Sequence, residues 1–181
     1  MTVDPVLHVA AALVLFAVFG GAALHKWKGL AAFEATLAEY RVLPGPAVAL
    51  AARIIPVLEA AAAAALLVPV LSRPAALFAG ALLAAYTLAI AANLARGRRN
   101  IDCGCGWPGQ QQTLSAWLLL RNGLLIVLAF LCTLPVAART VSWVDFAIAL
   151  PAAAAGILFY LAANQLLTNR DRLAALSRSN G

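Results

Sequence analysis

The stretch that decides the fold is residues 6–24, VLHVAAALVLFAVFGGAAL, which contains no charged residue. A run of about 20 apolar residues is long enough to cross the hydrocarbon core of a bilayer as a helix. The whole chain shares this character, because 64% of its 181 residues are hydrophobic and only 11% are charged. Soluble domains carry about 25% charged residues. The composition therefore excludes a soluble enzyme, a disordered chain and a disulfide-rich secreted scaffold.

Five apolar runs of this kind follow one another along the chain. We therefore predict an all-α polytopic membrane helix bundle of about five transmembrane helices over residues 1–168, followed by a polar C-terminal tail at residues 169–181. The predicted spans are residues 6–24, 48–70, 75–94, 114–134 and 144–167. Segment 29–42 is more polar, and its apolar residues recur at helical spacing, which predicts a short interfacial helix after the first span. Residues 72–74, Ser-Arg-Pro, are predicted to connect the second span to the third.

The charged residues predict an orientation and exclude one class of partner. The net charge is +6, and the basic residues lie between the apolar runs, whereas a nucleic-acid-binding protein clusters them on one face. With five spans, one side of the membrane receives nine cations: Lys26, Lys28, Arg41, Arg96, Arg98, Arg99, Arg170, Arg172 and Arg178. The other side receives Arg73 and Arg139. Because cytoplasmic loops carry the excess of Lys and Arg, we predict a multi-pass membrane protein with loop 96–112 at the cytoplasmic face.

The longest polar loop contains the motif Cys103-Gly104-Cys105. Two thiols separated by one residue can close a small disulfide ring, and strain in such a ring makes the disulfide easier to reduce. Arg98 and Arg99 precede the motif, and nearby cations favour the thiolate, which is the attacking species. We therefore interpret Cys103 and Cys105 as a redox pair.

Two other interpretations of the motif stay open. Cys103, Cys105 and His25, which share a membrane side in the predicted topology, could form a three-ligand site for a soft metal. That site would suit a transporter of a soft metal or a thiol compound, but the sequence supplies no fourth ligand and we assign no resident metal. The cysteines could also be inert. The third cysteine, Cys132, lies 17 residues beyond Ser115, or about 25 Å along the fourth span, and is predicted to be a packing residue near the opposite face.

Polar residues are also predicted at membrane depth, where ionisable groups are costly and face a partner or a cavity. They are Arg53, Glu59, Asn93, Arg121 and Asn122. Arg53 and Glu59 are six residues apart and do not share a helix face, so we expect Glu59 to find a partner on another span, with Arg121 as the candidate. The residues form either a polar pocket beneath the cysteines, which holds a quinone headgroup or moves protons, or a buried structural ion pair.

The order of these segments carries a resemblance. It rests on FEATLAEYRVLP at residues 33–44, RIIPVLE at 53–59, NLARG at 93–97, IDCGCG at 101–106 and RN at 121–122. Over about residues 5–135 the chain resembles the methylamine utilisation protein MauE family, which is related to the DoxX-like group of redox-associated membrane proteins.

This resemblance implies a thiol–disulfide oxidoreductase that assists the maturation of methylamine dehydrogenase, whose small subunit has many disulfides. It also implies a thioredoxin-like partner and a location in the bacterial inner membrane, and it assigns Cys103 and Cys105 as the redox pair. A non-catalytic membrane anchor of a redox complex is the alternative. The expected client is extracytoplasmic, whereas the charge distribution places the cysteines on the cytoplasmic side. Either the orientation is reversed, or electrons are relayed across the bilayer.

Overall fold

Six helices make up the computed structural model of the protein, which describes residues 2–98, 101–104, 113–140 and 142–179. They are α1 (Pro5–Lys28), α2 (Leu30–Tyr40), α3 (Gly45–Leu66), α4 (Pro69–Ala95), α5 (Ala116–Leu131) and α6 (Trp143–Ser179). No strand is formed by the described residues, in which β-pairing is limited to isolated bridges. The predicted all-α class is confirmed.

Four of these helices are long and apolar enough to cross a membrane. They are α1, α3, α4 and the Trp143–Leu166 part of α6. The fourth predicted span, residues 114–134, corresponds to the shorter apolar helix α5, Ala116–Leu131. Its 16 residues extend about 24 Å at 1.5 Å per residue, somewhat less than the hydrocarbon core of about 30 Å. The chain is therefore a multi-pass membrane protein with four long helices and one shorter apolar helix.

The connection between α3 and α4 differs from the predicted one. Ser72 and Pro74 lie inside α4, which begins at Pro69, so the prediction that residues 72–74 form the connection is wrong. Proline is accepted in the first turn of a helix, where its missing N–H is not needed, and Pro69 takes that position. A tertiary contact places Ser72 inside the helix, since its buried hydroxyl lies 3.0 Å from Nε2 of His8. At the other end of the chain, α6 continues to Ser179, beyond the predicted span at 144–167.

Helix α1 lies at the centre of the bundle and packs against α3, α5 and α6. Its buried face meets small residues of the neighbouring helices, which allow helices to approach closely. The central core contains Leu15, Phe19, Ala63, Ala79, Leu83, Leu125 and Ala129. This packing sets the rotation of each helix and therefore which polar side chains turn inward.

The two ends of the bundle carry different connections. At one end the N-terminal strand-like segment pairs with the α5–α6 connection, through hydrogen bonds from Val3 N to Pro135 O and from Ala137 N to Val3 O, both 2.9 Å. We call this the N-terminal end. At the opposite end, helix α2 meets the segment 101–104 that contains Cys103, because Tyr40 Oη donates to the Cys103 carbonyl. We call this the cysteine end.

Candidate functional site

Cys103 is buried at the cysteine end and is held by three elements of the fold. Cys103 is 5% exposed, and Tyr40 Oη of α2 donates a hydrogen bond to its carbonyl oxygen at 3.2 Å. Arg121 Nη2 of α5 donates to its Sγ at 3.9 Å. Asp102 Oδ1 accepts a hydrogen bond from Gly104 N at 3.0 Å, which closes the turn around the cysteine. The thiol therefore has a defined position beside a guanidinium group.

Gly104 is required for this position for two separate reasons. Its φ is +67°, a conformation that residues with a Cβ rarely adopt. A Cβ at this residue would also lie 3.2 Å from Cγ2 of Thr36 and 3.5 Å from the Phe33 ring on α2. The backbone freedom predicted for Gly104 thus serves a left-handed turn packed tightly on α2. Cys105, the other half of the predicted pair, lies outside the described residues.

Among the described residues, the cation that contacts the thiol is not one of the two that precede the motif in the sequence. Arg98 Nη1 donates to the Glu39 carbonyl at 3.1 Å, and Arg99 lies outside the described residues. Arg121, 18 residues from Cys103 in the chain, supplies the contact to Sγ. No sequence signal pairs Arg121 with Cys103, because the contact depends on how α5 packs against the segment 101–104.

A buried ion pair lies between α1 and α3. Lys26 Nζ donates to both carboxylate oxygens of Glu59, at 2.6 and 2.9 Å, and the two residues are 2% and 1% exposed. Tyr86 Oη of α4 donates to Glu59 Oε1 at 2.9 Å. The prediction that Arg121 is the partner of Glu59 is therefore wrong, and Lys26, which was counted among the cations of one membrane side, is buried in the bundle.

The helical spacing of α1 explains why Lys26 turns inward. It continues the buried face of the helix, following Leu15, Phe19 and Ala23 at intervals of four, four and three residues, which lie on one face of a helix. That periodicity was a usable signal in the sequence. The flanking His25, Trp27 and Lys28 instead suggest that all of residues 25–28 lie at the membrane interface. This is consistent with the exposure of Trp27 and Lys28.

Aromatic rings surround the remaining side of the Lys26 ammonium group. Nζ lies 5.2 Å from the centre of the Phe33 ring and 5.6 Å from that of Tyr86, distances at which cation–π attraction operates. An ammonium group has three donors, and Glu59 accepts two of these bonds. Within the described ranges, no hydrogen-bond acceptor is found for the third N–H. Lys26 is therefore a buried cation with a donor to spare.

Arg121 organises a second polar cluster between α5 and α6. Its Nη1 donates to Asn164 Oδ1 at 3.2 Å and its Nη2 to Asn122 Oδ1 at 3.3 Å, and its guanidinium carbon lies 5.6 Å from the centre of the Tyr160 ring. The arginine and both asparagines are buried. Asn164 and Tyr160 were not among the predicted site residues, because α6 offers no motif that distinguishes them.

The remaining predicted pocket residues are placed differently. Asn93 is fully buried, and its Nδ2 donates to the Ala89 carbonyl of its own helix at 3.0 Å. Its Oδ1 has no hydrogen-bond partner among the described residues. Arg53 is exposed on the outer face of α3. The structure thus brings Glu59, Arg121 and Asn122 toward the bundle interior below Cys103 and leaves Arg53 outside it.

Two cavities adjoin these clusters and share the walls formed by Lys26 and Tyr86. The first, of about 450 Å³, reaches Cys103 and is lined mainly by apolar side chains of α2, α3 and α4. The second, of about 340 Å³, reaches Arg121, Asn122 and Glu59. The buried ion pair therefore separates an apolar cavity at the thiol from a polar cavity at the guanidinium group.

The alternative metal site lies only partly within the described residues. Over the part of the chain that the structure describes, no group of three His, Cys, Asp or Glu residues is placed to hold a metal ion. His25 is half-buried in the last turn of α1. The alternative ligand set of Cys103, Cys105 and His25 includes a residue outside the described ranges, and it stays a prediction.

The N-terminal end has its own polar residues. Arg139 bridges Asp4 at 3.0 Å and Asp145 at 2.7 Å, and the Arg139 guanidinium lowers the pKa of the exposed Asp4 carboxyl below its usual range. Cys132 Sγ lies 4.0 Å from the His8 carbonyl oxygen of α1. The third cysteine is therefore at the end opposite Cys103, as its predicted distance along the fourth span requires.

Comparison with known proteins gives one consistent family. The family model of "Methylamine utilisation protein MauE" matches residues 4–135. The chain is 39% identical over 166 residues to the methylamine utilization protein MauE of Paracoccus denitrificans, which covers 91% of this chain and 89% of the relative. It is 40% identical over 164 residues to that of Paracoccus versutus, covering 90% and 88%, and 34% identical to that of Methylorubrum extorquens, covering 70% and 68%. No solved structure matches the chain.

Proposed function

The chain belongs to the MauE family, and from this premise we propose that it is a membrane thiol–disulfide exchange protein of methylamine utilisation. Cys103 and Cys105 are its redox pair. A thioredoxin-like protein exchanges disulfides with this pair and oxidises the cysteines of an extracytoplasmic client, for which the methylamine dehydrogenase small subunit is our choice. Methylamine utilisation itself is the role that the names of its relatives give.

The observation that carries this proposal is the contact between Arg121 Nη2 and Cys103 Sγ at 3.9 Å. A guanidinium group stays charged in proteins, and a cation beside a thiol favours the thiolate. Both groups are buried, and electrostatic interactions are stronger where water is excluded. A packing cysteine needs no such neighbour. The arrangement instead suits a sulfur that must carry negative charge during a reaction.

The burial of Cys103 is the basis on which we divide the chemical roles between the two cysteines. Because Cys103 is 5% exposed, we assign Cys105 as the sulfur that the partner attacks and Cys103 as the leaving thiolate. A thiolate of the reduced partner bonds to Cys105 and breaks the Cys103–Cys105 disulfide. The second partner thiolate then attacks the partner sulfur of the mixed disulfide and releases Cys105. Two electrons and two protons pass to this chain, and the partner leaves as a disulfide.

The membrane side of this exchange is part of the proposal. The cysteine segment, α2 and the C-terminal end of α1 lie together, opposite the N-terminus. Lys26 is buried against Glu59, so it no longer counts as a loop cation. The cysteine side then has eight of these cations, and the opposite side has two. That difference still favours a cytoplasmic location. Labelling of intact cells with a membrane-impermeant maleimide, before and after reduction, separates direct contact with a periplasmic partner from electron relay across the bilayer.

The experiment that tests the proposal compares the three cysteines. We expect Cys103→Ser and Cys105→Ser to abolish formation of disulfide-complete client without lowering the amount of this protein in the membrane. Cys132→Ser is the matched control, because it removes a buried thiol at the N-terminal end, and maturation should continue. Client disulfides are counted by mass after alkylation. Normal maturation in the Cys103/Cys105 double variant would exclude the redox role and leave the chain as a membrane anchor.

A further inference from the structure

The first cavity combines features that apolar packing does not explain. Its empty space, part of which is open to the surroundings, is about 450 Å³. Its walls include the aromatic rings of Phe33, Tyr40 and Tyr86 and several aliphatic side chains, and two chemically active groups, Lys26 and Cys103, complete it. Val42 at the α2–α3 connection is 43% exposed, which places the mouth of the cavity beside that connection.

The chemistry of the walls specifies the occupant. Three aromatic rings and a set of aliphatic side chains favour a flat apolar group that enters from the bilayer. The Lys26 ammonium has one N–H without an acceptor in the described part of the chain, so the occupant gains a charge-assisted hydrogen bond if it presents a carbonyl oxygen. Cys103 at the same wall requires that the group tolerate or accept electrons from a thiolate. A lipid acyl chain matches the apolar walls, but its hydrocarbon offers no carbonyl oxygen to Lys26 and accepts no electrons from a thiolate.

We infer that this cavity binds the headgroup of a membrane quinone, with one carbonyl oxygen on Lys26 and the ring beside Cys103, and that the quinone accepts the electrons that the cysteine pair collects. The inference rests on the proposed function, since it supplies the oxidant that returns the pair to the disulfide. Intramembrane ionisable groups are costly and mark ligand or proton paths. The Lys26–Glu59 pair is such a group at the cavity wall.

The electron transfer balances without a further reactant. The Cys103 thiolate bonds to a ring carbon of the quinone, and the charge that develops on the ring oxygen is stabilised by Lys26 and neutralised by one proton. The Cys105 thiolate then attacks Cys103 Sγ, so that the sulfur–carbon bond breaks and the sulfur–sulfur bond forms. The bonding pair stays with the ring, whose second oxygen takes up the second proton. Two thiols and a quinone become a disulfide and a hydroquinone.

Protons for this step have a route through the ion pair. Lys26 is bonded to Glu59, which also accepts from Tyr86 Oη. Glu59 borders the second cavity together with Arg121 and Asn122, whose Nδ2 has no hydrogen-bond partner among the described residues. A water in that cavity would have polar groups to bind. Lys26 and Glu59 thus connect the ring oxygen to the polar side of the bundle as positioning and proton-transfer residues.

The test uses the full chain in lipid nanodiscs. Protein with reduced cysteines is mixed with decylubiquinone without oxygen, and hydroquinone formed per protein is measured together with the cysteine oxidation state. We expect one hydroquinone per protein and none from Cys103→Ser. Ala89→Phe fills the cavity from α4, and we expect it to slow hydroquinone formation by about tenfold or more, because its ring occupies the space that the headgroup needs. The matched control is Leu88→Phe on the same helix, whose side chain is 71% exposed.

The Lys26→Met/Glu59→Gln double variant tests the polar groups without leaving one charge unpaired. It should keep disulfide exchange with reduced thioredoxin, lose hydroquinone formation and raise the quinone concentration needed for half-maximal rate. Equal hydroquinone rates in Ala89→Phe and Leu88→Phe would overturn the inference. Wild-type protein that exchanges disulfides with thioredoxin but does not reduce decylubiquinone would also overturn it and leave the proposed function intact. Absence of the thioredoxin exchange itself would remove the proposed function.

Discussion

The two ends of the bundle use the same kinds of residue in different surroundings. At the N-terminal end, Arg139 bridges Asp4 and Asp145 with side chains 39%, 55% and 11% exposed. At the cysteine end, Lys26 bonds Glu59 with both side chains almost fully buried. Exposed pairs contribute little to stability, about 0–1 kcal/mol, whereas burying two charges carries a desolvation penalty of several kcal/mol per ion. Among the described residues, the pair with both side chains buried is therefore at the end that contains Cys103, and the Arg139 pairs are more exposed.

The cysteines show the same contrast. Cys132 packs at the N-terminal end with its sulfur near a carbonyl oxygen of α1, and apolar core residues surround it. Cys103 has a guanidinium group at its sulfur and a cavity at its side. Burial by itself therefore does not distinguish a reactive cysteine from an inert one. The charge beside the sulfur and the space around it do.

The largest expected difference between the ends comes from Glu59→Ala. It leaves Lys26 as an unpaired buried charge, and breaking a buried pair costs about 3–5 kcal/mol. Thermal unfolding in detergent should show a much larger loss for Glu59→Ala than for Asp145→Ala at the other end. The Lys26→Met/Glu59→Met double variant, which removes both charges, should recover most of the loss. Equal losses in the single and double variants would mean that the ion pair adds no coupling.

A smaller effect is expected at Gly104. Gly104→Ala introduces a Cβ at positive φ, which costs about 1–2 kcal/mol, and brings it 3.2 Å from Thr36 Cγ2. Gly97→Ala is the control, because Gly97 has φ of +74° but open space around its Cβ position. Hydrogen exchange of residues 101–104 should increase more in Gly104→Ala than exchange around residue 97 does in Gly97→Ala. Adding Thr36→Ser should reverse part of the Gly104→Ala effect, and no reversal would exclude the contact as its cause.

The next effect concerns the reactivity of the thiol. Arg121→Met removes the cation from Cys103, so alkylation of the reduced Cys103 by a small membrane-permeant reagent should slow by about tenfold at neutral pH. Alkylation of Cys132 reports on general loosening of the bundle and should not change. Arg121→Lys should retain part of the rate, since it keeps the charge without the planar donor array. An unchanged alkylation rate of Cys103 in Arg121→Met would exclude an effect of the guanidinium group on the reactivity of this thiol.

The smallest effect is expected at the N-terminal end and depends on pH. Arg139 lowers the pKa of Asp4, so the carboxylate stabilises the folded state above its ordinary pKa of 3.8 and loses this contribution as the pH falls through the lowered value. Asp4→Asn should therefore flatten the decline in thermal stability on acidification slightly. Salt should reduce the difference between the two proteins, because exposed charges are screened. A salt-independent difference would contradict an exposed pair.

The bundle itself could be predicted, and parts of the site could not. Residues 6–24 and the other apolar runs identify membrane helices because transfer into a bilayer depends on the summed composition of a continuous segment. The boundary between α3 and α4 was harder to predict, because Pro74 suggests a turn in the sequence. In the structure Pro74 lies inside α4, where the neighbouring Ser72 makes a buried contact with His8. Glu59 was correctly expected to need a partner on another helix, but Arg121 was predicted in place of Lys26.

Composition and motif order by themselves determined the membrane location, the all-α class, the family and the prominence of Cys103-Gly104-Cys105. Only the tertiary structure decided that Glu59 pairs with Lys26, 33 residues away, and that Arg121 is the cation at Cys103. The physical reason is that a helix forms from hydrogen bonds local in the chain. Which of its polar side chains meet depends on the rotation and crossing of packed helices. In this bundle, small core residues set that rotation.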